Sequence, residues 1–190
     1  MKRGVIMLNT FPGTEIEVSE IKKGASKALF DGIFATGGIT LSQVSVMTGL
    51  EPYVIQNWVK RGFVASPVKR VYGRAQFARI IIINMLKEAL QLEKICELVK
   101  LIGGEVDNPD DDFIGDNVLY HIYVDLLSEG NINIMDESAV DAAVDKVLKD
   151  ITGYDDGEKA KLKKILKVML YSHGAARLKA ESAACLATLY

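Results

Sequence analysis

Between residues 19 and 35, "SEIKKGASKALFDGIFA", the apolar positions Ile21, Ala25, Ala28, Leu29, Ile33 and Phe34 recur near helical spacing behind a capping-type Ser19. The spacing predicts a short amphipathic helix. "TGG" interrupts it, and the next stretch, "ITLSQVSVMTGLEPYVIQNWVKRGFV" from 39 to 64, crowds its start and stop signals together. Thr40 with Gln43 three residues on is the capping-box pairing of a hydroxyl with a reciprocating amide. A helix is therefore predicted from Leu41, with Leu41, Val44 and Met47 on its apolar stripe and Gly49 closing it. Pro52 suits the first position of a second helix, which runs to Arg61 and stops at Gly62. Within it Ile55, Trp58 and Val59 form the packing stripe, with Trp58 as a core anchor. Tyr53, Gln56, Asn57 and Lys60 fall at i, i+3, i+4 and i+7 on the opposite face.

"FVASPVKRVY", residues 63 to 72, sets β-branched and aromatic residues around Ser66 and Pro67 and predicts two very short strands joined by a turn, a small β-hairpin. A long helix follows from Arg74 to about Leu90, carrying "IIII" at Ile80 to Ile83. After a break near Gln91 comes another from Glu93 to Ile102, stopped by Gly103 and Gly104. The loop "EVDNPDDD" is the predicted boundary between an N-terminal lobe, 1–104, and a C-terminal helical lobe, 105–190. Helices are expected there near 113–129, 137–152 and 157–189, the last broken around Ser172 to Gly174. The fold class is all-α with one small hairpin. In the last pattern Leu162, Ile165, Leu166, Met169 and Leu170 share a face that is either core or the seam of a dimer.

A chain of 190 residues, 49% hydrophobic and 25% charged, has enough apolar material for a core, which excludes disorder and fibrous repeats. Its apolar runs, such as "IIII", are far short of the roughly 20 residues a membrane helix needs. The N-terminus lacks a long apolar signal core, so a cytoplasmic protein is expected. Cys96 and Cys185 lie far apart without a CxxC motif, which argues against a disulfide framework or zinc site; both read as buried thiols.

Net charge is only −2, but its distribution is uneven. No Asp or Glu occurs from Pro52 to Lys87, where Lys60, Arg61, Lys69, Arg70, Arg74, Arg79 and Lys87 are all basic; from Glu105 to Glu158 acids dominate. Such an imbalance directs attention to an anionic partner for the basic segment. Two short helices joined by a glycine-containing turn, with a basic hairpin directly after, form the plan of a helix-turn-helix whose second helix enters the major groove of DNA. Gln and Asn amides pair with the adenine edge and lysine with guanine acceptors. On that plan Arg61, Lys69, Arg70, Tyr72 and Arg74 would hold phosphates. The alternative is an ordinary amphipathic helix pair with a solvated polar face.

"ITLSQVSVMTGLEPYVIQNWVKRGF" resembles the opening helix-turn-helix of the MerR family of bacterial transcription regulators. "RVY", Arg70 to Tyr72, resembles that family's R-x-Y wing, and "LQLEKICELVKLI" its following helix, so the similarity covers roughly residues 39–102. More closely, "VIQNWVKRGFVASPVKRVYGRAQFARIIIINMLKEALQLEKICELV" is similar to a family of bacterial proteins filed as domain of unknown function 1836 (DUF1836), which has a MerR-like N-terminal part. The resemblance implies a winged helix-turn-helix in which Tyr53, Gln56, Asn57 and Lys60 face bases and Arg70 and Tyr72 belong to the wing. Val68 and Lys69 replace the usual G-Y, Gln56 replaces a common arginine, and Glu51 stands where a capping serine is usual. The shortened wing implies fewer phosphate contacts and weaker binding.

His121 with Asp116 and Asp125 nearby invites a metal or general-base reading. It lacks an HExxH arrangement, and "DNPDDD" lacks the glycine and distal glutamate of a calcium loop, so no metal or other cofactor is expected. No P-loop, GxGxxG or GxSxG motif occurs, and no enzymatic activity is expected. The leading expectation is a transcription regulator that binds double-stranded DNA as a homodimer. The runner-up is a protein-interaction module on the same scaffold that no longer binds DNA, its basic lobe holding an acidic partner or its own acidic segment.

Overall fold

The isoleucine run organises the molecule. In the computed structural model, which describes residues 10–103 and 114–189, Ile80 to Ile83 are all fully buried, together with Phe77 and Leu86. A helix apolar on every side can only lie inside a core, and the helix that carries the run, α4 (Arg74–Leu86), packs against four others.

The described residues are mostly helical. In chain order they form α1 (Ala25–Ile33), β1 (Ile39–Thr40), α2 (Leu41–Thr48), α3 (Pro52–Lys60), β2 (Val71–Tyr72), α4, α5 (Leu92–Gly103), α6 (Asp116–Ser128), α7 (Glu137–Lys149) and α8 (Asp156–Ala187). Helices α2, α5, α6 and α8 surround α4, α1 lies on α6, and α7 is held between α6 and α8. The segments before residue 104 and after residue 113 therefore contribute to one continuous apolar core. Burial of each isoleucine contributes roughly 1.5–3 kcal/mol, so this layer is the main source of cohesion. No helix among the described residues is long and apolar enough to cross a membrane.

Several elements differ from expectation. α1 starts at Ala25 rather than near Ser19 because Gly24, with φ 78°, leaves the helical conformation and donates its N–H to Asp125 Oδ1 at 2.7 Å. The two strands do not form one hairpin within 63–72. Instead β2 pairs antiparallel with β1, Ile39 opposite Tyr72 and Thr40 opposite Val71, and Val68 adds only a single bridge to Val71. Val64 is buried in the core, but Ser66 is exposed and Pro67 lacks the N–H that a ladder needs, so no strand is sustained there.

α8 runs unbroken through Ser172–Gly174. The glycine there serves packing rather than a turn, since a Cβ at Gly174 would lie 2.5 Å from Ile134 Cδ1. Leu162, Ile165, Leu166, Met169 and Leu170 are buried within the molecule, which rules them out as an exposed seam. Cys96 is buried as expected, but Cys185 is exposed, because the end of α8 extends beyond the body. The acidic loop at 107–112, read as a boundary and not as a calcium site, lies outside the described residues.

Candidate nucleic-acid interface

The α2–α3 pair is built as its punctuation implies. Thr40 Oγ1 accepts from the Gln43 N–H at 3.3 Å while Gln43 Oε1 accepts from the Thr40 N–H at 2.8 Å, closing the capping box. Gly49 ends α2 at φ 68°, a left-handed value reached without steric penalty only by glycine. Pro52 occupies the first turn of α3, and Glu51 before it makes no side-chain cap. Asn84 of α4 donates to the Thr48 carbonyl at 2.9 Å and the Gly13 carbonyl at 3.0 Å, fixing the end of α2 to the central helix.

Helix α3 divides into two faces. Ile55 and Trp58 are buried, Trp58 as the expected anchor, while Tyr53, Gln56, Asn57 and Lys60 are all exposed. Tyr53, at 70% exposure, presents an aromatic ring that no described residue covers.

The basic turn that follows is tight. Val68 and Val71 exchange both backbone hydrogen bonds at 3.0 Å, leaving Lys69 and Arg70 as the two central residues with φ 50° and 68°. Positive φ at both central positions is the I′ class of hairpin turn, which ordinarily takes Asn and Gly. For L-residues with a Cβ the left-handed conformation costs roughly 1–2 kcal/mol each. Both side chains are exposed, so the strain holds two cations out into solvent.

Gln76 steadies this turn and lies outside the site residues expected from the sequence. From the first turn of α4 its amide donates to the Ser66 carbonyl at 2.6 Å and the Ala65 carbonyl at 3.2 Å, and its oxygen accepts from the Gly73 N–H at 2.6 Å. The signal that marks it is a glutamine three residues after a helix-starting glycine, the reciprocal half of a capping box.

The remaining predicted phosphate ligands separate into distinct environments. Arg61 is ion-paired with Glu93 and lies 4.4 Å from the centroid of the Phe63 ring; Arg74 pairs with Asp31 at 2.8 Å and lies over Phe34. Arg79, basic in the sequence count, is buried against Asp116 at 2.7 Å. Tyr72 is only 2% exposed, and burial pushes its phenol above the ordinary range. Its place opposite Ile39 puts the ring in the core, so the expected phosphate contact from Tyr72 does not fit the structure. Among the described residues no ion pair holds Lys60, Lys69 or Arg70.

The residues of the metal reading have separate partners. His121 Nδ1 bonds Ser26 Oγ at 2.9 Å, Asp116 pairs with Arg79, and Asp125 takes the Gly24 N–H. Among the described residues no three His, Cys, Asp or Glu side chains converge on a point.

No curated protein and no solved structure matches the chain. The stretch from the residue before β1 into α6, residues 38–123, matches the family model described as Domain of unknown function (DUF1836), and it is in this domain that α3 and the basic turn lie.

Proposed function

We propose that the protein is a non-enzymatic regulator of transcription that reads duplex DNA through a winged helix-turn-helix, with α2 and α3 as the helix pair and the Val68–Val71 turn as a minimal wing. α3 lies in the major groove, where Gln56 and Asn57 meet adenine edges and Lys60 meets guanine acceptors. Lys69 and Arg70 hold the phosphate backbone beside it and fix the docking register. The protein acts as a homodimer, in keeping with the twofold symmetry of most helix-turn-helix readers.

One observation carries the reading. Arg61, Arg74 and Arg79 are each engaged by a carboxylate of another element, whereas among the described residues the cations on the exposed face of α3 and at the tip of a strained turn stand without one. A turn that spends stability on holding Lys69 and Arg70 outward is best explained by an anion that meets them.

The experiment is selection of duplexes from a randomised pool, followed by fluorescence anisotropy with wild-type protein at two salt concentrations. The expected result is an enriched sequence whose binding weakens steeply with salt, as phosphate contacts require. A folded protein that enriches nothing would refute the reading and favour a protein-interaction module. The exposed Val46, Tyr53 and Val68 side chains in the same region are the feature that favours this second reading.

A further inference from the structure

Two carbonyls at the end of α2 find their partners outside the helix pair. The last four C=O groups of a helix have none within it. Here the Met47 carbonyl accepts from the Glu15 N–H at 2.8 Å, and the Thr48 carbonyl accepts from the Asn84 side-chain amide at 2.9 Å. Neither Glu15 nor Asn84 belongs to α2 or α3. The turn into α3 is therefore held by the segment before α1 and by the central helix.

That segment is itself anchored. Residues 10–17 fold back through a bridge between Thr10 and Glu17, and the Phe11 N–H donates to the Ile16 carbonyl at 2.9 Å. Phe11 is buried, the Pro12 carbonyl accepts from Tyr120 of α6 at 2.9 Å, and the Gly13 carbonyl accepts from the same Asn84 amide at 3.0 Å. Gly13 has φ 74°, and a Cβ there would lie 2.2 Å from the Ile81 carbonyl oxygen, so this backbone rests directly on α4. On its other side Glu15 covers the turn, since a Cβ on Gly49 would lie 3.0 Å from Glu15 Oε1.

We propose that residues 11–15 are a strap that sets the orientation of the α2–α3 pair on α4, with Asn84 as its positioning residue. Base discrimination by α3 then depends on a segment that belongs to neither helix. The inference rests on the DNA reading proposed above and deepens it. Base readout requires side chains to meet base edges at fixed geometry, whereas phosphate contacts carry no sequence information. The basic turn has a separate fastening in Gln76. Release of the strap should therefore remove specificity and leave affinity for arbitrary duplex largely as it was.

Two variants of the full chain test this. Asn84→Leu removes both donations from α4, and Gly13→Ala forces a Cβ against Ile81 from the strap's side. Without DNA, amide hydrogen exchange in Asn84→Leu should quicken about tenfold at Glu15 and in the last turn of α2, the effect of one or two net hydrogen bonds, while α5 keeps its protection. With DNA, each variant should lose about tenfold in the ratio of affinity for the selected duplex to affinity for a scrambled one. A chain that is merely less folded binds both duplexes more weakly in the same proportion. An unchanged ratio would therefore overturn the proposal, as would unchanged exchange. Asn84→Leu decides the matter if Gly13→Ala does not fold, because it leaves the strap's own backbone untouched. A wild type that selects no duplex would refute the DNA reading, and the exchange result would still decide whether the strap holds α2.

Discussion

The side-chain amide of Gln76 donates to the carbonyl of Ser66 at 2.6 Å, fastening the approach to the basic turn onto the first turn of α4. The same residue holds Ala65 and Gly73, so one side chain ties together both ends of the segment that carries Lys69 and Arg70. Gln76→Ala should cost about 1–2 kcal/mol of stability, the range of one or two net hydrogen bonds. It should weaken DNA binding several-fold although Gln76 touches no DNA. Urea denaturation and anisotropy on the selected duplex measure the two effects separately.

Relief of the strained turn should separate stability from binding. Arg70 has φ 68°, and Arg70→Gly removes the Cβ that resists it, so the folded state should gain up to about 1 kcal/mol after allowance for glycine's greater freedom when unfolded. DNA affinity should fall for every sequence alike. A variant that is both less stable and undiminished in binding would contradict the role assigned to this turn.

Base and phosphate contacts should behave differently. Asn57→Ala and Gln56→Ala should each cost about 1–3 kcal/mol of binding and relax the base preference at one position, while Lys69→Ala and Arg70→Ala should lower the salt slope without changing preference. Because Arg61 and Arg74 already have carboxylate partners, their alanine variants should reduce the salt slope less. Competition titrations against single-base operator variants decide the matter.

Acid should loosen the fold through His173. Burial, with Arg177 adding repulsion, holds its imidazole down to about 4 from an ordinary 6.5. Between those pH values the unfolded chain binds a proton that the folded chain refuses, so stability is full above about 6.5 and declines as pH falls toward 4. The decline is at most about 1.4 kcal/mol per pH unit. His121, also lowered by burial, acts in the same direction, while Asp116, raised by burial, opposes it. Denaturation midpoints should show a shallower dependence in His173→Phe than in wild type across this window.

The Arg79–Asp116 pair should be intolerant of single changes. Both side chains are nearly inaccessible, and among the described residues Arg79 Nη1 and Asp116 Oδ1 have no hydrogen-bond partner. Asp116→Ala should therefore destabilise by about 3–5 kcal/mol, whereas the double change Arg79→Met, Asp116→Leu should recover much of that loss. A thermodynamic cycle on the four proteins provides the check.

The local punctuation of the chain is legible in its residues alone. Thr40, Gln43, Gly49 and Pro52 mark their helices because a cap or a fixed φ acts within a few residues, and Trp58 shows its burial by helical periodicity. The same periodicity separates the polar face of α3 from its apolar one.

Long-range partners are not legible in that way. Nothing local says that Val71 and Tyr72 pair with Ile39 and Thr40, so the residue pattern points to a hairpin within 63–72 and to a solvent-facing Tyr72 instead of one in the core. Nor does a count of basic residues reveal that Asp31, Glu93 and Asp116 return from elsewhere to occupy three of the arginines. The break expected at Ser172–Gly174 comes from reading glycine as a stop, where its actual role is to admit Ile134.

Because Ile80 to Ile83 face every direction around α4, no neighbour can leave without exposing one of them to water. Loss of α6 or α8 would strip the same helix that anchors Asn84 to the end of α2 and Gln76 to the basic turn. The parts of the chain on either side of residues 104–113 are thereby coupled in their melting: heating should produce a single sigmoidal transition in which α3 and α8 lose their helical signal at the same temperature.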